Sequence, residues 1–253
     1  MRNLLLLIAF DGTDFAGWQR QDHQATIQGE VEACLSRMTA GSVNLHGAGR
    51  TDAGVHALGM TASFETVSNI PCAGLMKGMN CLLPPAIRVL TVEEKESDFH
   101  ARFSARGKCY LYHLSCGGVD LPTQRLYRCH VKNALVLAPI QQCLGLLVGI
   151  HDFSAFEGVG SRDPSYQGGR GAVRTIFRAE LTVGEGAVQE LTIELAGDGF
   201  LRHMVRNIVG TLLEVGRERM RVEDFAKVLD GRDRKAAGAT APARGLFLKE
   251  VYY

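Results

Sequence analysis

The densest concentration of chemistry-bearing residues is His46-Gly47-Ala48-Gly49-Arg50-Thr51-Asp52-Ala53-Gly54-Val55-His56, where one carboxylate and one guanidinium sit in a run of small residues. Small side chains let a planar ligand come close to the backbone. A carboxylate placed there could act as a nucleophile. The spacing is not a dinucleotide fingerprint, because Asp52 stands where G-x-G-x-x-G has its third glycine, and the G-K-[ST] end of a phosphate loop is missing. A glycine-rich turn in which Asp52 caps a backbone amide fits the same residues.

Two further groups could carry function. On a helix predicted over Phe200 to Val215, Leu201, Met204, Val205, Ile208, Val209 and Leu212 form an apolar stripe, and Arg202, His203, Arg206 and Asn207 fall on the opposite face. That face is either a binding surface or a solvated one. Tyr110 and Tyr112 share one face of a predicted strand by two-residue alternation, so pattern alone does not separate a ligand-facing ring from a core ring.

These groups need elements to position them. Leu4 to Phe10 reads as a strand, and Thr26, Gln28, Val31 and Leu35 read as an N-capped helix running to about Thr39. Strands at Val43 to His46 and Leu58 to Phe64, a helix at Ala73 to Leu82 ended by Pro84-Pro85, and a strand at Ile87 to Val92 complete a β-α-β-β-α-β order. A second set follows: strand Lys108 to Cys116, helix Leu137 to Leu147, strands Val173 to Val183 and Val188 to Leu195, the helix from Phe200, and strand Leu246 to Tyr252. The expected fold class is α+β, with two tandem ferredoxin-like halves (1–104 and 105–253), antiparallel sheets, and an active cleft between them. The loop Glu157 to Ala172 holds five glycines and two arginines, a composition suited to phosphate contact or to plain disorder.

Composition narrows the class. A chain of 253 residues with 46% hydrophobic content can bury a substantial core. The net charge of +1 says little, but its distribution is uneven. Residues 91–98 are acidic, and the stretches Arg162 to Arg178, Arg202 to Arg221 and Arg232 to Lys249 are basic. Arginine outnumbers lysine 21 to 7, and its planar fork suits phosphate. Seven cysteines without zinc-ligand spacing read as reduced, buried, small apolar residues of a cytoplasmic protein. The apolar start runs straight into Asp11-Gly12-Thr13-Asp14 with no A-x-A site, so it reads as a buried strand rather than a leader. No apolar run approaches the roughly 18 residues that span a bilayer, and no membrane association is expected.

GAGRTDAGVHALG resembles the active-site motif of the TruA family of tRNA pseudouridine synthases. FDGTDFAGWQRQ (10–21), LLPPAIRV (82–89), FHARFSARGKCYLYHL (99–114), HDFSAF (151–156), FLRHMVRNIVGTLLEVG (200–216) and APARGLFL (241–248) resemble further blocks in the family's order. The resemblance implies a pseudouridine synthase fold and an isomerase. It would convert uridine to pseudouridine at the positions conventionally numbered 38, 39 and 40 of the tRNA anticodon stem-loop. It also implies Asp52 as nucleophile, attacking sugar C1′ or base C6, and Arg206 as its charge partner. Tyr110 would stack on the base and help remove its C5 proton, Arg50 would help evict the nucleotide, and Leu246 would pack beneath the base, with Arg202 as a further substrate contact. No cofactor or metal is implied, and the implied assembly is a homodimer holding tRNA across both subunits. Phe10, Met60, Ala86 and Asp198 depart from the usual pattern, which bears on local RNA contacts. A non-catalytic RNA-binding protein and a nucleoside N-glycosidase are the alternatives.

Overall fold

The computed structural model describes residues 1–160, 170–185 and 188–253. The chain divides into two compact units, 1–106 with 247–253, and 107–246. The glycine-rich loop expected over Glu157 to Ala172 therefore lies mostly outside the described residues.

The first unit is built on β1 (Arg2–Phe10), β3 (His56–Thr66) and β4 (Ile87–Lys95), with β1 antiparallel to both of the others. Its strands lie in the order β4-β1-β3. The short β2 (His46–Gly47) runs antiparallel along the free edge of β3 at Ala62 and Ser63, and β10 (Leu246–Tyr252) runs parallel to that edge at His56 and Ala57. Order β4-β1-β3-β2 is the ferredoxin-like arrangement expected from the element sequence. Helices α1 (Ile27–Thr39) and α2 (Cys72–Leu82) complete the unit, α2 packing against β4. Thr26 caps α1 by accepting from the Gly29 N–H at 3.3 Å, and Ile27, Val31, Cys34 and Leu35 form its buried stripe.

The predicted strand over Val43 to His46 contracts to His46–Gly47 for a specific reason. The Leu45 N–H donates to Glu32 Oε1 at 3.0 Å, and the Leu45 carbonyl accepts from Gln28 Nε2 at 3.0 Å. Two buried polar side chains of α1 thus take the backbone groups that a neighbouring strand would otherwise bond.

The second unit contains β5 (Gly107–Cys116), β9 (Gln189–Gly197), β8 (Val173–Val183) and β7 (Gly149–Asp152), antiparallel in that order, with β6 (Cys129–Val131) parallel to β5. Three helices accompany them: α3 (Leu137–Leu147), α4 (Met204–Gly216) and α5 (Val222–Gly231). β6, β7 and α5 were not anticipated from sequence. α4 starts four residues later than predicted because His203 takes a left-handed conformation, φ 62°, and Met204 N–H bonds back to the Leu201 carbonyl at 3.1 Å. Arg202 and His203 therefore belong to a turn rather than to the helix.

Five of the seven cysteines are buried as expected, whereas Cys72 is half-buried and Cys81 exposed. Burial pushes the Cys116 and Cys143 thiols up to about 11. Among the described residues no helix is long and apolar enough to cross a membrane.

Candidate active site

The loop carrying Asp52 joins β2 to β3 and is mounted on backbone. Ala48 N–H donates to the Thr61 carbonyl at 2.8 Å, Trp18 N–H to the Thr51 carbonyl at 3.1 Å, and Val55 N–H to the Asp52 carbonyl at 3.2 Å. Glycines make these approaches possible. A Cβ on Gly12 would collide with the Val55 carbonyl, and one on Gly17, whose φ is +96°, would lie 2.5 Å from the Thr51 oxygen. Gly47 admits the Trp18 ring in the same way, since a Cβ there would sit 2.5 Å from the indole. The FDGTDFAGW segment is thus the bracket of the Asp52 loop. Phe10 packs on Trp18 with ring centroids 6.1 Å apart.

A second layer fixes the bracket. Trp18 accepts from the Gln28 N–H at 3.0 Å, tying it to the start of α1. At the far end of the loop His56 is buried and stacked on Phe247, with centroids 4.6 Å apart. Its Nδ1 stands 3.1 Å from both the Gly12 nitrogen and Asp11 Oδ1. Unprotonated, that nitrogen accepts the Gly12 N–H; protonated, it pairs with Asp11. Asp52 is half-buried and Arg50 exposed on this mount. The Thr51 hydroxyl between them is buried without a hydrogen-bond partner among the described residues.

The other four sequence-predicted residues lie in the second unit. Arg206, in the first turn of α4, donates from Nε to the Ala241 carbonyl at 2.7 Å, and its own carbonyl accepts from Ala241 N–H at 3.0 Å. Two bonds to one residue aim the guanidinium. The polar face read beside it is not uniformly solvated, because Arg202 is exposed whereas Asn207 is fully buried and acts as a junction. Its Nδ2 donates to the Phe156 carbonyl at 2.8 Å, and its Oδ1 accepts from Thr240 Oγ1 at 2.6 Å and Arg234 Nη2 at 3.0 Å. Thr211 Oγ1 accepts from Gly238 N–H at 2.9 Å, and Gly210 lets the Ala239 carbonyl touch the helix, where a Cβ would collide with it. The HDFSAF, HMVRN and APARG blocks converge on this network.

Both tyrosines are buried, and they differ in what their rings and hydroxyls meet. Tyr112 is fully buried, its hydroxyl donates to the Pro242 carbonyl at 2.8 Å, and burial raises its pKa. Tyr110 meets Phe200 edge-on at 4.9 Å. Gly245 rests against the Tyr112 ring, 2.8 Å from where its Cβ would stand, and delivers Leu246, which is buried. Arg202 is exposed, and its carbonyl is held by Gly158 N–H at 2.8 Å. Arg170, at the end of the glycine-rich loop, pairs with Asp198 at 2.6 Å, which gives that departure from the family pattern a structural partner.

Glu32 and Arg234 are not among the residues read from sequence, and the buried roles of Gln28 and Asn207 are not read there either. A polar residue on the apolar stripe of a helix was the available signal for Gln28 and Glu32. Among the described residues, no group of three or more His, Cys, Asp or Glu side chains could hold a metal ion.

Two mostly antiparallel α+β units, with a lone carboxylate on a glycine-bracketed loop, constitute a pseudouridine synthase fold. The chain belongs to the tRNA pseudouridine synthase family, whose sequence model matches residues 6–104 and 144–253. It is 53% identical over 253 residues to tRNA pseudouridine synthase A 1 of Desulfotalea psychrophila, covering all of both chains. It is 45% identical over 255 residues to tRNA pseudouridine synthase A of Lacticaseibacillus casei, and 42% identical over 253 residues to that of Acetivibrio thermocellus, again with full coverage of both.

Proposed function

We propose that this protein isomerises uridine to pseudouridine in tRNA, at positions 38, 39 and 40 of the anticodon stem-loop, with Asp52 as the catalytic carboxylate. The observation that carries this reading is end-to-end similarity to proteins named tRNA pseudouridine synthase A, joined to the rigid backbone mount of the only carboxylate in the GAGRTDAGVHALG loop. The enzyme works in the cytoplasm as a homodimer, following the family pattern.

The reaction conserves the composition of the nucleotide. The N1–C1′ bond breaks, the base turns, C5 bonds to C1′, the C5 proton leaves and N1 gains one. Asp52 attacks C1′ or C6 and is regenerated, so no redox partner is consumed. Arg206, held by Ala241, is the charge partner that the family resemblance assigns to Asp52. Tyr110 stacks on the base and Leu246 supports it from below. Arg50 holds the place of the evicted nucleotide, since a stacked base shields its reacting atoms and eviction costs a few kcal/mol. Arg202 contacts the RNA backbone.

Tritium release from 5-tritiated uridine in a tRNA transcript tests this. Asp52→Asn should lower release by at least about a thousandfold and leave tRNA affinity within about tenfold. Free uracil as product would point instead to a glycosidase, and undiminished release from the variant would remove Asp52 from the mechanism.

A further inference from the structure

The first unit holds an aromatic array that the isomerisation does not use. His46 lies 4.8 Å from His100, centroid to centroid, and His100 lies 4.4 Å from Phe103, the rings tilted by 38° and 34°. The Arg102 guanidinium lies over the Phe103 ring at 5.7 Å. Phe103 itself is 77% exposed. An exposed phenylalanine on a loose segment would mean little, but this segment is fixed at every step. Asn3 Nδ2 donates to the Glu96 and Phe99 carbonyls at 2.8 and 2.7 Å. Ala101 N–H donates to Ser63 Oγ at 3.0 Å, and Tyr253 Oη donates to the Ala101 carbonyl at 2.8 Å. Ser104 N–H bonds the His100 carbonyl at 2.9 Å, and Ser104 Oγ accepts from His100 N–H at 3.1 Å. The turn therefore holds a large ring rigidly in water, next to a cation and two imidazoles.

We propose that Phe103, with His100 and His46 behind it, is a stacking platform for an unpaired base of the RNA substrate, and that Arg102 takes the adjoining phosphate. The proposal rests on the reading of tRNA as substrate. Stacking needs a flat, exposed, rigid ring, and every base offers a π face to it; arginine beside such a ring serves both phosphate and base. A protein partner would ask for a wider apolar surface, whereas the groups in ring contact with Phe103 are His100 and Arg102. Of the acidic stretch that precedes the turn, Glu94 is paired with Arg2 and Glu93 with Lys95. His100 Nδ1 accepts from the Arg102 N–H at 3.1 Å, so the ring presents itself neutral, in keeping with burial and neighbouring His46, which lower its pKa.

Register fixes where the platform stands. His46 is opposite Ser63, seven residues along β3 from His56, which follows the Asp52 loop. At strand rise that is about 20 Å, against about 3.4 Å between stacked bases. The platform therefore serves a base well separated from the target nucleotide rather than its immediate neighbour.

The test uses the full chain and an unmodified tRNA transcript. Phe103→Ala should weaken tRNA binding by roughly five- to a hundredfold, with the loss in Kd and KM rather than in kcat. Phe103→Leu should behave like alanine, because it is apolar but not flat. Phe103→Trp should keep affinity, and its indole emission should be quenched as tRNA is added, beyond any change in the wild-type protein, in which the tryptophan is the buried Trp18. Wild-type affinity in Phe103→Ala, alongside a wild-type enzyme that binds tRNA, sinks the platform alone. Retained function in Phe103→Leu, with a change of sedimenting mass in Phe103→Ala, would make the ring a protein contact and also overturn it. A wild-type protein that binds no tRNA would sink the functional reading and the platform together.

Discussion

Asp52 and Arg206 are held in opposite ways. The Asp52 loop is gripped backbone to backbone, through gaps that exist only because Gly12, Gly17 and Gly47 lack a Cβ. Arg206 is aimed by its two bonds to Ala241, and the segment around it is tied down by side-chain bonds from neighbouring Asn207 to Phe156, Thr240 and Arg234. A backbone grip is short in sequence and intolerant of a single methyl. A side-chain network is scattered in sequence and yields by degrees, each bond being lost separately.

The largest expected effect breaks the network. Asn207→Ala leaves the buried Phe156 carbonyl without its donor and removes the acceptor shared by half-buried Arg234 and exposed Thr240; three lost bonds should cost about 3 kcal/mol and lower Tm by about 6–12 °C, measured by calorimetry. A Tm within about 2 °C of wild type would show that Asn207 is not the junction. Gly12→Ala acts on the other grip. Its Cβ collides with the Val55 carbonyl, three residues from Asp52. Overpacking should cost about 1–3 kcal/mol, and displacement of the loop by even about 1 Å should cut turnover about a hundredfold. Loss of stability without loss of turnover would mean the bracket does not position Asp52. The smallest effect sharpens the contrast between the tyrosines. Tyr112→Phe removes one bond to Pro242 and should cost about 1 kcal/mol with turnover unchanged. Tyr110→Phe should slow tritium release. The reverse pattern would exchange their roles.

The two grips also differed in how legible they were. The Asp52 loop is contiguous, so its residue types announced it, and α1, α3 and β8 were readable from cap, period and alternation. The Arg206 mount draws on 156, 207, 211, 234 and 238–241, and nothing in one sequence says that these meet. Asn207 was read as part of a polar face because periodicity registers polarity, not whether a partner waits in the core. The start of α4 was misplaced because Leu201-Arg202-His203 contains no breaker and left-handed histidine carries no sequence mark. α5 was missed although Val222, Phe225, Val228 and Leu229 keep helical spacing, and that signal was available. β7, four residues long, offers too few positions for alternation to register. The last strand was read with its bounds, but partnership with β3 is a property of pairing and not of order.

That pairing has a consequence for how the protein is made. During synthesis the first 106 residues leave the ribosome with one edge of β3 uncovered at His56 and Ala57, and the strand that covers it arrives only after all of 107–246 has been translated. The second unit is continuous and can fold as it emerges. The first must wait, and the Phe247–His56 stack that closes the end of the Asp52 loop is among the last contacts the nascent chain can form. Catalytic competence is in this sense timed by translation. A chain released before residue 247 would carry the whole GAGRTDAGVHALG loop and still lack the strand that seats it.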